Sequence, residues 1–372
     1  MSIRRTAAVA LLLLGVYSCG HKAQPPQVSK PVYRLFGSDS LRAEFKALFA
    51  EPYSETRRIP IYYVTNRNLL NETEACNDRA FGIRLGTQLS YGVCGISVPK
   101  KHAVGQIEKG PGGDPDRFFR AVSHTELDEA NFLGTLQGLP PADFLLFVHG
   151  FNVRFEEAVF RAAQIAYDLK FQGNVILFSW PAGAESGLVS SALVSKIYDL
   201  NQTYARRSVE PFVTFLKAVD ALNLKIHVLV HSMGHQVVIP ALARLTPPEG
   251  HRLFGELILN APDIGQDEFH DLLPKFKKVA ERVTVYCSYN DRAISASQAY
   301  NEDLRLGACE TMPGVDVINV GEIGGDALGH SYYASRPIVT DMFQTLLGIP
   351  AEDRLFIRRS GRNAPENYFL RP

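Results

Sequence analysis

The sequence predicts an α/β fold: a mostly parallel central sheet with helices on both faces, an N-terminal strand extension and no large cap domain. Three observations predict it. From residue 143 onward, short uninterrupted apolar runs alternate with segments whose apolar residues recur at helical spacing. The runs are rich in Val, Ile, Leu and Phe, as strands covered on both faces are. Between the run at 257–259 and the next helical pattern lie only residues 260–266, too few for an inserted domain.

The composition agrees. A chain of 372 residues accommodates such a fold with additions, and 46% hydrophobic against 21% charged residues describes a globular protein with a large core. Lys+Arg and Asp+Glu both number 39 and no long charged run occurs, so nothing recommends nucleic acid as a partner. The oligomeric state leaves no mark in the sequence.

Residues 1–18 read as a targeting segment. Arg4 and Arg5 precede an apolar stretch at 7–16 that is too short to span a bilayer comfortably. Val16-Tyr17-Ser18-Cys19-Gly20 resembles a bacterial lipoprotein signal. That resemblance implies cleavage before Cys19 and lipidation there by several acyl chains, which anchor stably where one chain does not. The same resemblance, with Gly20 rather than an acidic residue after the cysteine, implies a lean toward the outer membrane of the cell envelope. Residues 19–40, with Pro25, Pro26 and Pro31, read as an extended tether. The other cysteines are Cys76, Cys94, Cys287 and Cys309. An even number in an exported protein permits disulfides. Spacing suggests Cys76 with Cys94 and Cys287 with Cys309, among three pairings, and buried free thiols are the alternative.

Residues 41–142 read as a strand-rich extension packed on the core. A short helix is expected at 41–49, with Leu41, Phe45 and Leu48 on one face. Strands are expected at 59–64, 81–85 and 91–98, and a Gly/Pro-rich loop at 105–116. The core at 143–350 opens with the strand at 144–148, followed by His149-Gly150-Phe151-Asn152 and a helix through Ala158, Ala162 and Ile165. Strands at 174–180, 225–230, 257–259, 283–287 and 315–320 follow, with helices at 209–222, 237–245, 267–280 and 338–347. Residues 351–372 read as a C-terminal tail. Residues 182–200 are either a mobile flap over an apolar site or a surface helix packed on the core.

In such sheets chemistry gathers at the carboxyl ends of the strands. The run Val228-Leu229-Val230 ends at His231-Ser232-Met233-Gly234, and a helical pattern starts at His235. This is the layout of a nucleophile elbow, with Val230 where the first glycine of G-x-S-x-G usually stands. A serine nucleophile needs a base, and the base needs an orienting group. His330 follows the last core strand and Asp291 the strand before it; Asp263, after the 257–259 strand, is the alternative acid. The main-chain N–H groups of Met233 and Phe151 are the candidate oxyanion hole. His149 reads as a brace for its loop. His231 and His235 read as packing residues pointing away from the serine.

Phe147-Val148-His149-Gly150-Phe151-Asn152, Leu177-Phe178-Ser179-Trp180-Pro181, Val230-His231-Ser232-Met233-Gly234, Leu259-Asn260-Ala261-Pro262-Asp263 and Gly329-His330-Ser331-Tyr332-Tyr333 together resemble the α/β-hydrolase superfamily, in a poorly characterised bacterial esterase/lipase-like branch. The resemblance spans about 59–347. It implies acyl transfer to water: Ser232 attacks an ester-type carbonyl of a small acyl-ester or lipid, His330 acts as general base and Asp291 orients it. It implies no cofactor. The sequence holds no H-E-x-x-H, zinc-type Cys/His spacing or P-loop, so no metal is expected. A peptidase or acyltransferase would use the same residues, and a non-catalytic envelope lipoprotein would not use them.

Overall fold

The computed structural model describes residues 57–71, 76–184, 191–323 and 328–371. The targeting segment, Cys19, the tether and the 41–49 helix lie outside them. Among the described residues, eleven strands form one sheet in the order β10-β11-β9-β8-β7-β6-β4-β5-β1-β2-β3. The strands are β1 (Arg57–Leu69), β2 (Phe81–Val98), β3 (Arg120–Leu127), β4 (Phe144–Val148), β5 (Asn174–Ser179), β6 (Ile226–His231), β7 (Phe254–Asn260), β8 (Ala280–Cys287), β9 (Asp316–Asn319), β10 (Ile357–Arg359) and β11 (Tyr368–Leu370). The helices are α1 (Glu129–Gln137), α2 (Phe155–Asp168), α3 (Ser191–Arg207), α4 (Val209–Asp220), α5 (His235–Leu242), α6 (Gln266–Phe276), α7 (Arg292–Asn301) and α8 (Arg336–Leu346).

Every residue of β4, β6 and β7 is buried, which is why 144–148, 228–230 and 257–259 run apolar without alternation. Two cores result, one on each face. One holds Phe132 of α1, Phe212 of α4, Val237 of α5 and Phe269 of α6. The other holds Phe155 and Val159 of α2 with Ile338 and Met342 of α8. The parallel run from β5 through β9 gathers its carboxyl ends along one rim.

The N-terminal strands belong to the same sheet. β1 pairs in parallel with β5 and antiparallel with β2, so it is an interior strand, and Tyr62 and Val64 face one core while Ile61 and Tyr63 face the other. β2 is one strand with irregular pairing where two were expected. The edge strand β3 is largely exposed and polar, which discourages further pairing. The segment read as a C-terminal tail forms β10 and β11, and β11 pairs in parallel with β9. α1 and α7 were not expected. α7 is short and mostly polar, and its N-cap, not its periodicity, defines it. Residues 191–200 of the segment expected as a flap or surface helix lie in α3, and 185–190 lie outside the described residues.

Disulfides join Cys76 to Cys94 and Cys287 to Cys309. Among the described residues no helix is long and apolar enough to cross a membrane.

Candidate active site

β6 delivers the chain to Ser232, whose φ of 52° is in the left-handed region that side chains other than glycine rarely adopt. The turn is held from both sides. His235 donates from Nδ1 to the Ser232 carbonyl at 2.6 Å. A Cβ on Gly234 would come within 2.5 Å of the His149 carbonyl, so the turn packs against the β4 loop only with glycine there. Val230 is fully buried, and its Cγ1 lies 3.3 Å from where that Cβ would be. The valine is thus accommodated beside Gly234.

His330 reaches the same point from the loop after β9. Its Nε2 lies 2.8 Å from Ser232 Oγ, and its Nδ1 lies 2.7 Å from Asp291 Oδ2. The other oxygen of Asp291 accepts the Ile294 N–H at 3.0 Å and caps α7. One carboxylate therefore starts a helix and fixes an imidazole, and the helix cap sets the direction in which Oδ2 points. The loop bearing His330 is tied to this turn by Arg292 N–H donating to the Leu328 carbonyl at 2.9 Å. Gly329, at φ 66°, precedes the histidine where a Cβ would lie 2.9 Å from the Asn290 carbonyl.

Asp263 is not brought to His330. Tyr198 donates to one of its oxygens at 2.9 Å, Ser297 donates to the other, and Arg305 Nε stands 3.3 Å away. Its carboxylate is occupied by groups from α3, α7 and the following turn, beneath the cavity beside Ser232.

His231 corrects the expectation. It does not point away from the serine. Its ring lies 4.9 Å from that of His330 and 4.1 Å from that of Tyr333, centroid to centroid. Burial, then the neighbouring His330, holds it well below the usual histidine range, so it remains neutral. His235 turns back under the elbow, and burial pushes it down to about 3.

The loop after β4 lies against the elbow. A Cβ on Gly150 would approach Ser232 Cβ to 2.8 Å, so this glycine lets the chain reach the serine, and Phe151 follows it. His149 is buried beneath, its ring stacked on Trp180 at 5.3 Å, and Trp180 Nε1 donates to the His149 carbonyl at 2.8 Å. Arg67, to which the sequence reading gave no role, is fully buried in the same place. A polar triplet, Thr65-Asn66-Arg67, in the carboxyl-terminal part of an interior strand was the signal available for it.

A cavity of about 370 Å³ opens beside Ser232 and His330, walled by Phe151, Val194, Tyr198, Ile294, Tyr300 and Leu328. Among the described residues no group of three or more His, Cys, Asp or Glu side chains could hold a metal ion.

A serine in a strained turn between a buried parallel strand and a helix, on a sheet covered on both faces, places the chain in the α/β-hydrolase class. Residues 126–349 match the family described as alpha/beta hydrolase of unknown function (DUF900), and the chain belongs to that family. The chain is similar to an esterase of Pyrococcus furiosus at 14% identity and a TM-score of 0.28, covering 57% of this chain and 81% of that one. It is similar to LpqC, a poly(3-hydroxybutyrate) depolymerase of Bordetella parapertussis, at 11% identity and a TM-score of 0.31, covering 82% and 94%. The comparison with curated proteins finds no match.

Proposed function

We propose that the protein is a serine hydrolase that cleaves ester-type substrates through an acyl-enzyme on Ser232. The unbroken line Ser232 Oγ, His330, Asp291, with contacts of 2.8 and 2.7 Å, carries this reading. His330 Nε2 takes the hydroxyl proton as Oγ attacks the ester carbonyl. The oxyanion that forms accepts the N–H groups of Phe151 and Met233. The intermediate collapses, the carbon–oxygen bond to the alcohol breaks, and His330 passes its proton to the departing oxygen. Water then repeats the sequence and frees the acid. Asp291 accepts the Nδ1–H throughout and favours the imidazolium.

The apolar walls of the cavity beside Ser232 support an apolar acyl group, including that of a lipid. Anchoring through Cys19 would hold the enzyme at the envelope membrane where such esters occur.

A fluorophosphonate probe tests the chemistry. The wild type is expected to label and Ser232→Ala not to; a wild type that stays unlabelled sinks the proposal. Cells fed labelled palmitate test the anchor. Label on the wild type and none on Cys19→Ala is expected, and equal label on both rules Cys19 out.

A further inference from the structure

We propose that Arg67 and His149 form a positioning relay that aims the Phe151 N–H at the oxyanion; this rests on the hydrolase reading above. Donor and acceptor bookkeeping carries it. Arg67 can only donate. Its Nε donates to Ser179 Oγ at 2.9 Å, and its Nη1 to the Gly82 and Ala182 carbonyls at 3.2 and 2.9 Å. Its Nη2 donates to the Val153 carbonyl at 2.8 Å and reaches His149 Nε2 at 3.3 Å. Facing a guanidinium, Nε2 of His149 must be the acceptor. The neutral ring then carries its proton on Nδ1. Nδ1 lies 3.0 Å from the Gly150 carbonyl and donates to it. Ser179 fits the same assignment, since it accepts from Arg67 and can donate to Nε2 at 3.2 Å.

The Gly150 carbonyl and the Phe151 N–H belong to one peptide plane. That plane is rigid and trans, so its carbonyl and its N–H point in opposite directions. Fixing the carbonyl on His149, beneath the loop, turns the N–H to the other side. Gly150 itself lies against Ser232. A charge buried among neutral acceptors would be costly to retain for packing alone. Here it reads the His149 ring and closes the loop at Val153. Arg67 comes from β1, the strand beside β5, so β1 sets the geometry of a loop two strands away.

The test compares an ester with the matching thionoester, whose sulfur is a poor hydrogen-bond acceptor. His149→Leu and Arg67→Met are expected to lower kcat on the ester about 100-fold, the scale of one oxyanion donor. On the thionoester the loss is expected to be several-fold smaller, with KM on both little changed. His149→Asn, whose side-chain NH2 can stand near Nδ1, should recover part of the ester rate. Ser179→Ala keeps the buried charge, perturbs the fold least, and should show the same selective loss in smaller measure. Equal losses on ester and thionoester in all these variants would mean that the pair only stabilises the fold, and the relay is then wrong while the hydrolase reading stands. A wild type without Ser232-dependent hydrolysis overturns both.

Discussion

Asp291 and Asp263 each follow a strand of the parallel sheet, and both are almost fully buried, yet their surroundings assign them different work. Asp291 offers one oxygen to the Ile294 N–H and keeps the other for His330. Asp263 spends both oxygens on Ser297 and Tyr198, with Arg305 alongside. Replacing Asp291 by Asn leaves an amide facing Nδ1 and favours the wrong imidazole tautomer. Asp291→Asn is therefore expected to lower kcat by about 10⁴-fold with KM largely retained. Asp263→Asn leaves Arg305 with a weaker partner and is expected to cost stability more than kcat. Steady-state kinetics beside thermal melts separates the two, and a larger kcat loss in Asp263→Asn would reverse the assignment.

Among the elements, the segment from β8 to the turn after α7 carries Asp291 and one wall of the cavity, yet α7 is a short polar helix with little core contact. The Cys287–Cys309 disulfide closes this segment over a sequence separation of 22 residues. On loop-closure grounds such a bond contributes about 2–4 kcal/mol. The pair Cys287→Ser with Cys309→Ser is expected to lose about that much unfolding free energy, measured in urea, and to lose activity earlier than global structure on warming. Activity and structure lost together would mean that this segment is not a separate weak point. Cys76–Cys94 lies against β2, away from Asp291, and its removal is expected to lower stability without that early loss of activity.

At the scale of the whole molecule, the loop at 99–119 is fastened to α2 by His102. Its Nδ1 lies 2.9 Å from Glu108 and its Nε2 3.0 Å from Asp168. Burial opposes the charge on His102, but hydrogen bonds to Asp168 and Glu108 outweigh it and raise the group to about 9. A histidine raised above its unfolded value stabilises the fold fully below about pH 6.5 and loses that contribution as the pH climbs through about 9. Unfolding free energy is expected to decline from pH 6.5 to 9.5 in the wild type, and the decline should flatten in His102→Gln. The same slope in both proteins would show that His102 is not charged in the fold.

The sequence by itself determined the alternation of buried strands and helices, because burial on both faces writes an unbroken apolar run that needs no knowledge of partners. It also placed Ser232, Asp291 and His330 after strands, since in a parallel sheet every carboxyl end meets the same rim. Tertiary structure decided the rest. Two aspartates at strand ends look alike until Tyr198, Ser297 and Arg305 arrive from distant segments to occupy one of them. His231 takes its direction from Tyr333 and His330, about a hundred residues on. β10 and β11 are too short to show a period, and pairing with β9 makes them strands. Arg67 bears on the site only because β1 lies beside β5 and buries its charge behind the His149 loop. Periodicity is local and survives in the chain, whereas the choice of partner is a property of the packed sheet.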